Sequence, residues 1–142
     1  MSSPEFTSAT EFRDVIDRTF AMLSEHPVMG PRLREADVPQ RFDFTDVDLV
    51  FNVRSARAGE TGNLHWVWSD EVDWEPKVRM SMSSETANRY FQGKENIAMA
   101  IARRRIKAGG DVKSALALIP ITKPLEGLYR EMIEAEFPHL AV

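Results

Sequence analysis

Three serines, Ser81, Ser83 and Ser84, lie close together and are the first residues to consider as nucleophiles. A nucleophilic serine needs a neighbouring base, and in many hydrolases it lies in a GxSxG turn, which this sequence lacks. Ser83 and Ser84 instead precede an apolar helical pattern, and Glu85 stands where a carboxylate stabilises a helix N-terminus. We therefore predict that one of these serines caps a helix, and we assign no catalytic residue.

The histidines are the strongest metal ligands that remain, because the chain has no cysteine. His26, His65 and His139 are widely separated and show no HxH or HxxxH spacing, so we predict no metal site. The lack of cysteine also excludes disulfides, thiolate catalysis and zinc–sulfur centres. No phosphate-loop motif occurs, and we predict no cofactor. The GGD of residues 109–111 suits a turn whose aspartate caps the next helix.

The only dense basic run comprises Arg103, Arg104, Arg105 and Lys107. One interpretation is a solvated strand edge whose charges resist edge-to-edge aggregation. The other is a head-group anchor, in which Arg103 and Arg105 pair bidentately with a carboxylate or phosphate through their planar guanidinium groups. The same run could bring the protein into transient contact with anionic lipid.

The composition limits the class of protein. A length of 142 residues allows a real core, and we predict a single domain over residues 1–142. A formal net charge of −4 argues against a nucleic-acid partner. No apolar run approaches the roughly 18 residues of a membrane span, and the N-terminus lacks the basic and apolar regions of a signal peptide. We therefore expect a cytoplasmic protein.

Hydrophobic periodicity predicts the elements that position these residues. We expect a disordered stretch over residues 1–8, a first helix over residues 9–24 and a C-terminal helical lid over residues 120–142. Alternating patterns predict strands over residues 41–54, 64–69, 77–82 and 105–108. A change of phase at Thr45-Asp46 indicates a bulge or tight turn inside the first of these. Strands and helices occur in separate blocks, which favours an α+β fold with helices on one face of a sheet.

The block from Phe42 to Leu118 resembles the sterol carrier protein 2 (SCP2) family. It contains a strand, a serine-rich helix start, a short helix ending in glycine, a second helix, a strand closed by Gly-Asp and an apolar helix. The matching positions are Ser83, Gly93, Ile106, Lys107, Gly110 and Asp111. The resemblance implies a bacterial-type, single-domain member with a five-stranded, mostly antiparallel sheet. Helices would cover one face of that sheet and enclose an apolar cavity.

The resemblance also implies a function, namely non-catalytic binding or transfer of a lipid-like hydrophobic molecule such as a fatty acid, acyl-CoA or sterol. The apolar faces of the predicted elements would then line the cavity, and methionine suits a wall that accommodates varied apolar shapes. The residues that we predict to contact the ligand are Phe51, Trp66, Trp68, Met80, Met82, Phe91, Ile97, Ile101, Leu116, Leu128 and Met132.

Two alternatives remain open. The first is an enzyme or enzyme-accessory protein that acts on a hydrophobic metabolite in the same cavity. The second is an interaction module whose apolar residues simply fill the core. The role of the tryptophans is also undecided: Trp66, Trp68 and Trp74 lie near an acidic segment that is a solvated loop packed on a hairpin, or else an entrance lid or a partner surface.

Overall fold

The computed structural model describes residues 4–142 and begins with two helices, α1 at Ala9–Glu25 and α2 at Met29–Ala36. The predicted first helix is confirmed, and the hydroxyl of Ser8 caps it by accepting the backbone N–H of Glu11 at 3.0 Å. Residues 1–3 of the stretch predicted to be disordered lie outside the described residues. Phe6, in the described part, packs edge-on against Phe12 with ring centroids 4.9 Å apart.

The strands are β1 at Gln40–Phe44, β2 at Leu49–Ser55, β3 at Leu64–Val67, β4 at Val78–Met82 and β5 at Lys107–Gly110. They form one sheet in the order β3-β2-β1-β4-β5. All neighbours are antiparallel except β1 and β4, which run parallel. The predicted α+β class and the five-stranded, mostly antiparallel sheet are confirmed, and the chain turns between β1 and β2 at the predicted Thr45-Asp46.

Strand β5 begins two residues later than the predicted 105–108, because the backbone N–H groups of Arg105 and Ile106 donate to the carbonyl oxygen of Ala100 in the turn after α4. It also ends two residues later, because its two glycines pair with β4 instead of forming a turn. Gly110 has a φ of +79°, and a Cβ atom there would collide with the carbonyl oxygen of Lys77. Glycine is therefore required for β5 to close against β4.

The remaining helices are α3 at Ser84–Phe91, α4 at Ile97–Ala102, α5 at Val112–Ala117, α6 at Ile119–Thr122, α7 at Leu125–Glu136 and a final 3₁₀ turn at Pro138–Leu140. Both predicted caps are present. Ser83 Oγ accepts the backbone N–H of Thr86 at 3.1 Å, and Asp111 Oδ1 accepts that of Ser114 at 3.2 Å.

The register of the sheet places its large apolar side chains on one face. Phe42 lies opposite Phe51 of β2 and beside Met80 of β4, so all three side chains project to the same side. Helix α1 packs on this face, with the ring of Phe12 4.6 Å from that of Phe44. The core therefore lies between this inner face and the helices, as expected for two packed layers.

Candidate ligand-binding site

An apolar cavity of about 100 Å³ lies between the inner face of the sheet and the helices. Strands β1, β2 and β4 supply one wall, while α1, α3 and α5 supply much of the other. The apolar residues that line the cavity are Ile16, Phe20, Leu23, Leu33, Val38, Phe42, Phe44, Val53, Leu64, Met80, Met82, Ala87, Phe91, Ile97, Ile106, Ala115, Leu118 and Leu125. The lining contains no histidine or carboxylate among the described residues.

Four of the predicted ligand contacts, Met80, Met82, Phe91 and Ile97, lie in the wall of this cavity. The others lie outside it and pack elsewhere against the core, namely Phe51, Trp66, Trp68, Ile101, Leu116, Leu128 and Met132. The alternation of apolar residues correctly indicated which residues share a face of each strand. Which strand faces which part of the cavity depends on the order of strands in the sheet, and periodicity does not reveal that order.

Phe42 and Phe44 line the cavity but were not among the ligand contacts predicted from the sequence, and they illustrate this point. They lie opposite Met80 and Met82 because β1 and β4 pair in parallel, although these strands are far apart in the sequence. The alternation of Phe42 and Phe44 was visible. Their proximity to the two methionines follows only from the crossover connection between β3 and β4.

The three tryptophans lie on two different faces of the sheet. The indole N–H groups of Trp66 and Trp68 both donate to Asp17 Oδ1 on α1, at 3.1 and 2.7 Å. Trp74 lies against the outer face, where the guanidinium of Arg54 is 4.8 Å from its ring centroid. The tryptophans therefore fasten α1 and the acidic segment to opposite sides of the sheet.

The cavity approaches the surface between α3 and the α6–α7 corner. Tyr90, Phe91, Thr122 and Leu125 line both the cavity and a small cleft beside it. Burial raises the pKa of Tyr90, so its phenol stays neutral at physiological pH. Helix α6 contributes no buried residue and has no capping side chain. Its Ile119 and Ile121 are only partly buried against the core, so α6 is weakly held compared with helices that bury side chains fully.

A buried polar network holds the C-terminal segment on the other side of α3. The amide nitrogens of Asn88 and Gln92 both donate to the carbonyl oxygen of Leu140, at 2.9 and 2.8 Å. The guanidinium of Arg130 donates to the carbonyl oxygen of Gln92 at 2.7 Å. Because buried amides are costly to leave unpaired, this network fixes α7 and the final turn against α3.

An open groove of about 1030 Å³ lies at the β4–β5 edge, and Met82 borders both this groove and the cavity. Its charged lining residues are Glu85, Arg89, Lys94, Glu95, Arg103, Arg104, Arg105 and Lys107. Of the two predicted head-group anchors, Arg105 forms an ion pair with Glu95, which also lies 3.6 Å from Arg89. Arg103 lines the groove and has no ion-pair partner within residues 4–142.

Within residues 4–142, no three histidine, aspartate or glutamate side chains are grouped so that they could hold a metal ion. No helix in this part of the chain is long and apolar enough to cross a membrane.

The arrangement defines a two-layer α+β domain with an internal apolar cavity, and its fold is that of SCP2 domains. The SCP2 protein UbiJ, described as a ubiquinone synthesis protein, is similar with a TM-score of 0.60 over 87% of this chain and 97% of that chain, at 7% identity. Sterol carrier protein 2 from Yarrowia lipolytica, in its apo form, is similar with a TM-score of 0.56 over 88% and 98% of the two chains, at 14% identity. The resemblance read from the sequence is therefore confirmed at the level of the fold.

The same fold also occurs within a larger enzyme. A double mutant of the sec-alkyl sulfatase Pisa1, an enzyme from a Pseudomonas species, matches with a TM-score of 0.61 and 16% identity. The match covers 74% of this chain and 16% of the sulfatase, so this chain corresponds to a small part of that enzyme. No family model matches the sequence, and no curated protein matches it.

Proposed function

We propose that the protein binds a lipid-like apolar small molecule between the sheet and the helices and releases it unchanged. The observation that carries this proposal is the apolar cavity, in a fold shared with the sterol carrier protein of Yarrowia lipolytica. The described lining has no histidine or carboxylate, the side chains most often used in acid–base catalysis, and burial raises the pKa of its tyrosine, Tyr90, which favours a carrier over an enzyme.

Ligand binding requires the cavity to enlarge. Its volume of about 100 Å³ is smaller than the roughly 300–1,000 Å³ of pockets that hold drug-sized ligands. We infer that α6 moves outward to admit the chain of the ligand, because it has no buried residue and adjoins the cavity mouth. Each methylene buried would contribute about 0.8 kcal/mol toward this opening and toward binding.

The terminal helix is a poor candidate for the moving part. Tyr129 and Ile133 of α7 are fully buried, and the network around Asn88 ties the segment beyond it to α3. Within the predicted C-terminal lid of residues 120–142, we therefore assign the opening motion to its first residues.

A cavity-filling substitution tests the proposal. Ala115 lines the cavity and is 5% exposed, so Ala115→Leu would place extra carbon atoms into the space. Ala117, on the same helix, is exposed and supplies the matched control Ala117→Leu. We expect decanoate to raise the melting temperature of the wild type and of Ala117→Leu, and to have little effect on Ala115→Leu.

Native mass spectrometry of the same three proteins shows whether lipid co-purifies. We expect bound lipid on the wild type and the control, and its loss from Ala115→Leu. A wild type that carries no lipid and responds to neither decanoate nor cholesterol would refute the carrier function. An Ala115→Leu variant that binds as well as the wild type would place the ligand outside this cavity.

A further inference from the structure

The open groove at the β4–β5 edge concentrates positive charge on a protein whose formal net charge is −4. Lys94, Arg103, Arg104 and Lys107 all line it, and none of the four has an ion-pair partner within residues 4–142. The groove lining contains six cationic side chains and only two carboxylates, and one of these, Glu95, is already paired with arginines. The groove therefore presents unpaired cations to solvent.

One of these cations is kept at a conformational cost. Arg104 has a φ of 61°, in the left-handed region, at the turn that ends α4. The backbone N–H of Arg105 donates to the carbonyl oxygen of Ala100 at 2.8 Å, which closes this turn. Helices most often place glycine at such a position, because a side chain there is strained. The end of α3 uses glycine, at Gly93 with a φ of 78°.

Asp37 and Asp48 also have a positive φ, but aspartate tolerates this conformation better than arginine because its short side chain can hydrogen-bond locally. The strain at Arg104 therefore supports a role for its guanidinium in the groove. Glycine would suit the backbone better but would remove a guanidinium from the groove. Arginine at position 104 therefore lowers local stability but adds a positive charge to the groove, a compromise that is common at binding sites.

We propose that this groove binds a phosphorylated anion, held by Arg103, Arg104 and Lys107. Several cations around one open groove match the several charges of a phosphate or diphosphate better than the single charge of a carboxylate. The guanidinium fork of arginine also pairs bidentately with phosphate oxygens. The anion is either the head group of a lipid or a soluble phosphate compound. This site goes beyond the proposed carrier function and does not depend on the cavity.

Two binding measurements distinguish these sources. The first is calorimetry with pyrophosphate at low ionic strength. The second is flotation with phosphatidylcholine vesicles that contain or lack phosphatidylglycerol. Binding to pyrophosphate identifies a soluble phosphate compound, whereas binding only to the phosphatidylglycerol vesicles identifies a lipid head group. Either result supports the proposal if it weakens with added salt, because exposed charges are screened.

The variant Arg104→Gly makes the test specific. We expect it to weaken binding about fivefold, the effect of one arginine at a charged surface, while the protein becomes as stable as the wild type or more so. Arg103→Ala should weaken binding similarly. Arg32→Ala, at an exposed arginine of α2 that is not part of the groove lining, is the matched control with the same change in charge and should bind normally.

Binding to neither probe would overturn the proposal, as would binding that Arg104→Gly, Arg103→Ala and Arg32→Ala all weaken equally. The Ala115→Leu variant separates this proposal from the carrier function. It should retain phosphate binding even though its cavity is filled, so a failure of either proposal can be recognised independently.

Discussion

Tyr129 of α7 donates its phenolic hydrogen to Asn88 Oδ1 of α3 across 2.7 Å, and neither side chain is more than 1% exposed. The same oxygen accepts the amide N–H of Gln92 at 2.9 Å. Burial raises the pKa of Tyr129, so the phenol remains a donor across the physiological range. This contact makes α7 a fixed wall next to the cavity mouth and leaves α6 as the part that can move.

Tyr129→Phe should lower the free energy of unfolding by about 1 kcal/mol, because a buried hydrogen bond is lost while Asn88 keeps its other partner. Urea denaturation measures the change. In an Asn88→Ala background the same substitution should cost less, since its acceptor is already missing. Equal costs in both backgrounds would show that the hydrogen bond contributes nothing.

Backbone amides of α6 should exchange with deuterium faster than those of α7. Helix α6 has no buried residue, whereas Leu125, Tyr129 and Ile133 of α7 are buried, so α6 opens at a lower free energy. Hydrogen-exchange mass spectrometry resolves the two segments. Protection of α6 equal to that of α7 would contradict its assignment as the moving element.

The ion pair between Glu60 and Arg54 should make stability depend on pH in the acid range. The guanidinium of Arg54 donates to both Glu60 oxygens, at 2.7 and 2.9 Å, and this hydrogen bonding lowers the pKa of Glu60 from 4.5 to about 2. Because the folded-state pKa is depressed, the stabilisation is fully present above the unfolded pKa and is lost as pH falls from 4.5 toward 2.

Glu60→Gln should therefore reduce stability at neutral pH and flatten the dependence of stability on pH between those values. Chemical denaturation at a series of pH values measures both effects. Glu71→Gln, the same substitution at an exposed glutamate with no ion-pair partner within residues 4–142, is the control. If the slope for Glu60→Gln matches that of the wild type, another group is responsible.

Gly110→Ala should destabilise the protein by about 1–3 kcal/mol. The alanine would hold a left-handed φ and bring its Cβ against the carbonyl oxygen of Lys77. Gly109→Ala is the matched control, because a Cβ there meets nothing within 4 Å. It should be neutral or slightly stabilising by thermal denaturation. Similar losses at both positions would attribute the effect to the strand and not to the close approach at Gly110.

Much of the local structure was predictable because it depends on neighbours in the sequence. The apolar stripe predicted α1, the alternation of Val78, Met80 and Met82 predicted β4, and Ser83 and Asp111 cap helices as their side chains suggest. The end of β5 was misplaced, since Gly109 and Gly110 usually indicate a turn. Here close packing against β4 overrides that local preference.

The sequence by itself determined the fold class, the caps and the apolar faces from which a cavity could be made. Only the tertiary structure decided which apolar residues meet. Phe42 and Phe44 join Met80 and Met82 because β1 pairs with β4 across a long crossover, while Trp66 and Trp68 are drawn to Asp17 on α1. Periodicity determines which side of its own element a residue occupies. Which elements lie side by side is set by long-range packing, which short-range pattern does not encode.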